Sequence, residues 1–178
     1  FIWYLYMDTA FYGYVGAMRV VKTILSYEYL WIEIRVKGGA YGCGGGFGRT
    51  GTVSFSSYRD PNLKRTNEVF EKTPEFLEQF EASEREMTKY VIGTVSEMDT
   101  PLTASTRGER SMSLYLSNLS FEDIQKERDE VLRVKVEDIK ALSNPVRAAL
   151  NQGNICVVGN EEKIQEAKDL FQNIVNLA

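Results

Sequence analysis

The sequence predicts an α+β domain in which a mostly antiparallel sheet packs against one long buried helix and several further helices. Three observations carry that reading. The run from Tyr14 to Ile34 is apolar on all but one narrow stripe, two short runs flank a glycine-containing turn at Arg49-Thr50-Gly51, and a series of helix starts with their own capping residues follows. Helices kept apart from an antiparallel sheet define that layer arrangement.

Each element has its own local reason. Phe1–Tyr6, rich in aromatic residues, reads as a strand followed by a loop around Asp8–Gly13. In the run from Tyr14, the residues Arg19, Lys22, Ser26 and Glu33 share one stripe at helical spacing. Val20, Val21, Ile24, Leu25, Tyr27, Leu30, Trp31 and Ile34 cover the rest, which predicts a helix buried on most sides. Gly38-Gly39 ends it by supplying positive φ. Strands at Tyr41–Gly48 and Thr52–Tyr58 come next, and Pro61 opens a helix from Asn62 to about Lys72. Thr73-Pro74-Glu75 reads as a fresh N-cap with a short helix to Phe80.

Ser83–Glu86 is a capping box ahead of Met87, Tyr90, Val91, Val95 and Met98 at three-to-four spacing, and Pro101 follows the break. Thr106–Glu109 fits a second box and Ser120–Asp123 a near match, for helices to about Ser117 and Val134. A further helix covers Val136–Asn151. Ile155–Val158 reads as a buried strand, and Asn160 caps a last helix to about Asn176. Three or four strands are few for a sheet covering so long a helix, and the chain opens on Phe. The expectation is a partial domain, residues 1–178, lacking some N-terminal strands of a longer protein.

Composition narrows the chemistry. The 178 residues contain no histidine, which removes the Ser-His-Asp triad, the Cys-His pair and the histidine-bearing zinc-peptidase motif from this chain. With 21 Lys+Arg against 25 Asp+Glu, interleaved in sign, there is no nucleic-acid or acidic-membrane footprint. Cys43 and Cys156 lack a CxxC partner and read as small buried residues of a reduced compartment. Arg19, Lys22, Glu28 and Glu33 interrupt the long apolar run, so it reads as a soluble core helix rather than a membrane span. Phe1–Tyr6 lacks the basic start and cleavage site of a signal peptide.

The glycine segment contains Gly46-Phe47-Gly48-Arg49-Thr50-Gly51-Thr52-Val53, a letter-for-letter match to the kinase glycine loop. It fails as one, because the chain has neither a His-Arg-Asp nor an Asp-Phe-Gly. A Rossmann reading fails as well, since a strand follows where a phosphate-binding helix would begin.

Arg35 and Tyr41, on either side of Gly38-Gly39-Ala40, are more informative. Both are donors that stay protonated at neutral pH, suited to a carbonyl oxygen or a developing oxyanion. The plain alternative is an arginine at a helix C-terminus and a tyrosine in a sheet. Arg59 and Asp60 could pair or cap at a strand-to-helix corner. Met87, Met98 and Met112 read as core fillers, and Glu127, Asp129 and Glu130 as a solvated face.

At Arg35-Val36-Lys37-Gly38-Gly39-Ala40-Tyr41-Gly42 the chain resembles the pitrilysin/insulinase family of metallopeptidases, in its presequence-protease branch. Tyr29-Leu30-Trp31, Ser56–Leu63, Glu84–Tyr90, Asp99–Thr103 and Gly159–Glu161 support the likeness, which runs from Tyr14 onward. The resemblance implies the C-terminal domain of a four-domain zinc endopeptidase that cuts peptides or unfolded segments in a closed chamber. It implies Arg35 and Tyr41 as the groups that reach the reacting peptide, and Gly38, Gly39 and Ala40 as a turn that a substrate passes closely. It also implies zinc held by the N-terminal half and none bound here, with that half and peptides as partners, no nucleic acid and no membrane. The implied setting is a bacterial cytoplasm or an organelle matrix. The alternative is a noncatalytic binding or scaffold subunit paired with a separate zinc-bearing one.

Overall fold

The computed structural model describes residues 3–4, 15–49 and 52–176, with the backbone alone at 3–4. The expected loop at Asp8–Gly13, and Thr50 and Gly51 of the hairpin turn, lie outside the described residues. The domain is α+β, with its described strands in two antiparallel pairs. β1 (Trp3–Tyr4) pairs with β4 (Cys156–Val157), and β2 (Gly42–Phe47) pairs with β3 (Val53–Tyr58).

The long helix begins as α1 (Ala17–Ile24) and continues without a break as a π-helical segment, Leu25–Val36. Its buried residues change spacing where the helix widens. In α1 they are Ala17, Met18, Val20, Val21, Thr23 and Ile24, whereas Leu25, Leu30 and Ile34 are five and four residues apart. The wider turn keeps that stripe on the core but turns Tyr27 (64% exposed) and Trp31 (42% exposed) outward, against the expectation of burial on most sides.

The hairpin covers this helix with alternate residues. Val53, Phe55 and Ser57 of β3 point inward, and Phe55 stacks on Phe70 with ring centroids 5.4 Å apart. Gly45 faces Phe55 across the ladder, and a Cβ there would lie 3.0 Å from that ring and 3.3 Å from Leu30. The absent side chain is what lets the sheet settle onto the helix.

The remaining helices pack around this layer. α2 (Leu63–Glu71) runs almost directly into α3 (Thr73–Glu78). Thr73 is not the cap that its sequence suggests. It lies within the helix, and its hydroxyl bonds back to Val69 O at 3.4 Å. α4 (Glu84–Met98) and α6 (Phe121–Arg133) start on the expected boxes at Ser83 and Ser120. α5 (Ala104–Leu116) starts earlier than its supposed box, because Thr103 Oγ1 accepts from Thr106 N–H at 3.3 Å.

The single helix expected at Val136–Asn151 is two, α7 (Val136–Ala141) and α8 (Ser143–Leu150), broken just before Pro145. α9 (Glu161–Glu166) begins on the Asn160 cap but ends ten residues short of Asn176, apart from a 3-10 turn at Lys168–Leu170. No helix among the described residues is long and apolar enough to cross a membrane.

Candidate functional site

The long helix carries Arg35 to its last turn, and the way that helix ends decides where Tyr41 goes. Lys37 N–H donates five residues back, to Ile32 O at 3.0 Å. The exit keeps this width: Ala40 N–H donates to Ile34 O at 3.1 Å and Gly39 N–H to Arg35 O at 3.0 Å. This is a nested closure like a Schellman motif, widened by one residue.

The two glycines are needed for different reasons. A Cβ on Gly38 would lie 2.4 Å from Ile34 O, whereas Gly39 sits at φ +78°. The turn is tied to the corner before α2, since Asn62 Nδ2 donates to Gly38 O at 2.7 Å. Gly38 and Ala40 are buried, so of the three turn residues only Gly39 is exposed.

Tyr41 is 64% exposed. Its N–H donates to Tyr58 O at 3.1 Å, with Arg59 O at 3.4 Å, and its ring meets Tyr58 edge-on at 6.0 Å. Arg35 is half-buried, with its guanidinium 4.0 Å above the Trp31 ring. Stacking occupies the face of a guanidinium and leaves its N–H edges able to donate. The cation beside Tyr41 is Arg59, 5.6 Å from the Tyr41 ring centre and 5.4 Å from that of Tyr58. Among the described residues neither Arg35 nor Arg59 is paired with a carboxylate.

Arg59 and Asp60 therefore do not pair with each other. Arg59 adopts φ +49°, a left-handed conformation that costs a residue with a Cβ roughly 1–2 kcal/mol. Asp60 is 1% exposed, and its Oδ1 accepts Asn62 N–H at 2.8 Å. Its Oδ2 and the Ser57 hydroxyl are buried without a hydrogen-bond partner among the described residues. Cys43 lies in the same electrostatic neighbourhood: burial pushes its thiol up to about 11, while Arg35 draws it down and Asp60 raises it further.

Elsewhere the structure corrects the sequence reading. Glu127 is no solvated carboxylate. It is 4% exposed and pairs with Arg19 at 2.5 Å and with Arg49. Glu130 caps the start of α1 by accepting Gly16 N–H at 2.8 Å. Met112, 60% exposed, fills no core. Cys156 is exposed and Cys43 only half-buried, both as free thiols, and Val158 is 53% exposed, so β4 is not a buried strand. A groove of about 850 Å³ between α1, α6 and α7 is lined by Val15, Phe121, Val134 and Leu142, and shares no lining residue with the Arg35–Tyr41 turn.

Residues 5–161 match the family described as the PreP C-terminal domain. The chain belongs to that family. As a PreP C-terminal domain it is the C-terminal part of a pitrilysin-family, presequence-protease-like protein. It is 48% identical over 163 residues to Protein HypA of Clostridium perfringens, covering 92% of this chain and 17% of that protein. It is 30% identical over 162 residues to Presequence protease 1, chloroplastic/mitochondrial, of Arabidopsis thaliana, covering 89% and 15%. A mitochondrial presequence protease of Xenopus laevis is 32% identical over 129 residues, covering 72% and 12%. The chain thus spans about a sixth or less of the curated relatives it matches. The family match begins at residue 5, so the likeness extends further towards the N-terminus than the start at Tyr14 that the sequence motifs give.

The described residues of this PreP C-terminal domain do not fit a zinc site. The chain has no histidine, and the described residues contain no group of three or more Cys, Asp or Glu placed to hold a metal. Of the two buried carboxylates among the described residues, Glu127 is engaged by two arginines, and Asp60 holds Asn62 N–H through Oδ1 alone. What the turn offers is hydrogen-bond donors on an exposed edge.

Proposed function

We propose that this domain is the substrate-gripping wall of a zinc endopeptidase that cuts peptides or unfolded segments in a closed chamber. Arg35 and Tyr41 would donate to the scissile carbonyl and to the oxyanion that forms from it. The observation that supports this most is the helix exit itself, which spends its backbone groups internally and leaves a guanidinium edge and a phenol on the outside. Donors fixed before reaction, aimed where negative charge develops, stabilise a tetrahedral intermediate without reorganisation.

Metal chemistry is assigned to the N-terminal half of the longer polypeptide, which is also the proposed binding partner across the chamber. Gly38 and Ala40 shape the turn from beneath, and Gly39 is the part of it that a peptide can touch. Likeness to a Clostridium protein and to relatives named mitochondrial supports a bacterial cytoplasm or an organelle matrix as the setting.

The test is steady-state cleavage of a fluorogenic peptide by the complete polypeptide carrying Arg35→Ala or Tyr41→Phe. Each substitution is expected to lower kcat/KM by about 10²-fold or more, the usual cost of losing an oxyanion donor. Values within about twofold of the parent would overturn the assignment.

A further inference from the structure

Arg59 occupies a backbone conformation that suits glycine or asparagine better than arginine. At φ +49° it is one of two non-glycine residues with positive φ among those described. The other, Asn118 at φ +52°, follows the C-terminus of α5, where asparagine is usual. A bulky residue persists in such a place when its side chain does something that a smaller one cannot.

Its side chain lies within cation–π reach of both the Tyr41 and Tyr58 rings and is paired with no carboxylate among the described residues. The backbone around it is already fixed. Tyr41 N–H bonds the carbonyls of Tyr58 and Arg59, Asp60 holds Asn62 N–H, and Asn62 holds Gly38 O. What these bonds leave undetermined is the direction of the exposed Tyr41 ring, whose described contacts are the Tyr58 edge and the Arg59 guanidinium.

We propose that Arg59 is a positioning residue: braced against Tyr58, it sets the direction of the Tyr41 hydroxyl, an inference that rests on the role proposed above for Tyr41. Misplacing a reacting group by about 1 Å can cost about 10²-fold in rate, so an orienting contact on an otherwise loose ring matters to turnover.

The experiment compares Arg59→Gly, Arg59→Lys, Tyr41→Phe and the double variant Tyr41→Phe/Arg59→Gly in the complete polypeptide, reading kcat and KM separately together with the thermal midpoint. Glycine is at ease at positive φ, so Arg59→Gly removes the guanidinium while relieving the backbone. Its melting temperature should equal or exceed that of the parent. Its kcat should fall about tenfold with KM within about twofold, and Arg59→Lys should recover part of the loss. In the Tyr41→Phe background, where no hydroxyl remains to be aimed, Arg59→Gly should cost less than about twofold more.

Full activity of Arg59→Gly beside an impaired Tyr41→Phe overturns the positioning role and leaves the reading of Tyr41 standing. An equal further loss in the Tyr41→Phe background overturns it too, since Arg59 would then act on the substrate directly. A fully active Tyr41→Phe overturns both. Arg59→Asn, also tolerant of this φ, repeats the comparison should glycine loosen the corner.

Discussion

Arg19 and Glu127, 108 positions apart in the chain, meet at 2.5 Å where α1 crosses α6, and Arg49 at the end of the hairpin donates to the second oxygen of the same carboxylate. Glu127 is 4% exposed, while the two arginine side chains are 36% and 30% exposed. One carboxylate therefore joins the long helix, the hairpin and the helical layer.

Removing that carboxylate should loosen all three. Breaking a buried ion pair usually costs about 3–5 kcal/mol, and the partial exposure of the arginines lowers the expectation for Glu127→Ala to about 2 kcal/mol. Urea denaturation measures it, and an unchanged midpoint would show that the triad contributes nothing net.

The two glycines of the helix exit should fail differently. Gly38→Ala forces a methyl against Ile34 O and should cost about 2–3 kcal/mol, in the range of overpacking. Gly39→Ala meets open space apart from Pro61 and carries only the backbone penalty of about 1 kcal/mol, with Gly39→Asn milder still. Thermal midpoints ranked Gly39→Asn, Gly39→Ala, Gly38→Ala from highest to lowest would bear this out.

Stability should be flat across neutral pH and fall at both ends. Hydrogen bonds from Arg128 to Asp99, from Arg147 to Glu75 and Glu78, from Ser83 to Glu86 and from Ser120 to Asp123 hold these carboxyls below their ordinary range. Their contribution is present above the unfolded values and is lost as pH falls below roughly 4. At the other end, burial pushes Tyr29 and Tyr90 up to about 12 and Cys43 up to about 11. Their contribution is complete below the unfolded values, roughly 8.5 for the thiol and 10 for the phenols, and is lost as pH rises through the folded ones. With no histidine to titrate between, denaturation midpoints from about pH 5.5 to 8 should coincide. A step near pH 6.5 would contradict this.

The two thiols should react at very different rates. Cys156 is exposed, whereas Cys43 is half-buried with its thiol raised, and the thiolate is the reactive form. Alkylation at pH 8 followed by peptide mapping should label Cys156 first, with Cys43 catching up only in denaturant.

Features that depend on three or four consecutive residues were legible in the sequence. The Ser83–Glu86 and Ser120–Asp123 boxes form as read, Asn160 caps its helix through Lys163 N–H at 3.1 Å, and the strands pair in the expected hairpin. Where two such signals compete, spacing alone misleads. Thr103 takes the cap that Thr106 seemed to offer, because its hydroxyl reaches Thr106 N–H one turn sooner. The candidate site was half legible. Arg35 and Tyr41 flank the turn, but the partners of Arg35 on Trp31 and of Tyr41 on Arg59 were not foreseen.

By itself the sequence determined the class of the domain, the local starts and stops of most helices, and the absence of any histidine chemistry. These follow from backbone conformation and from hydrogen bonds that close within a turn, which neighbouring residues set among themselves. Only the tertiary structure decided that Glu127 is buried rather than solvated, that the long helix widens after Ile24 and turns Trp31 outward, and that Arg59 rather than Arg35 stands over Tyr41. Those outcomes depend on which surfaces meet across the fold. The charge of Glu127 finds its partners 108 and 78 residues away, and no local pattern carries that information.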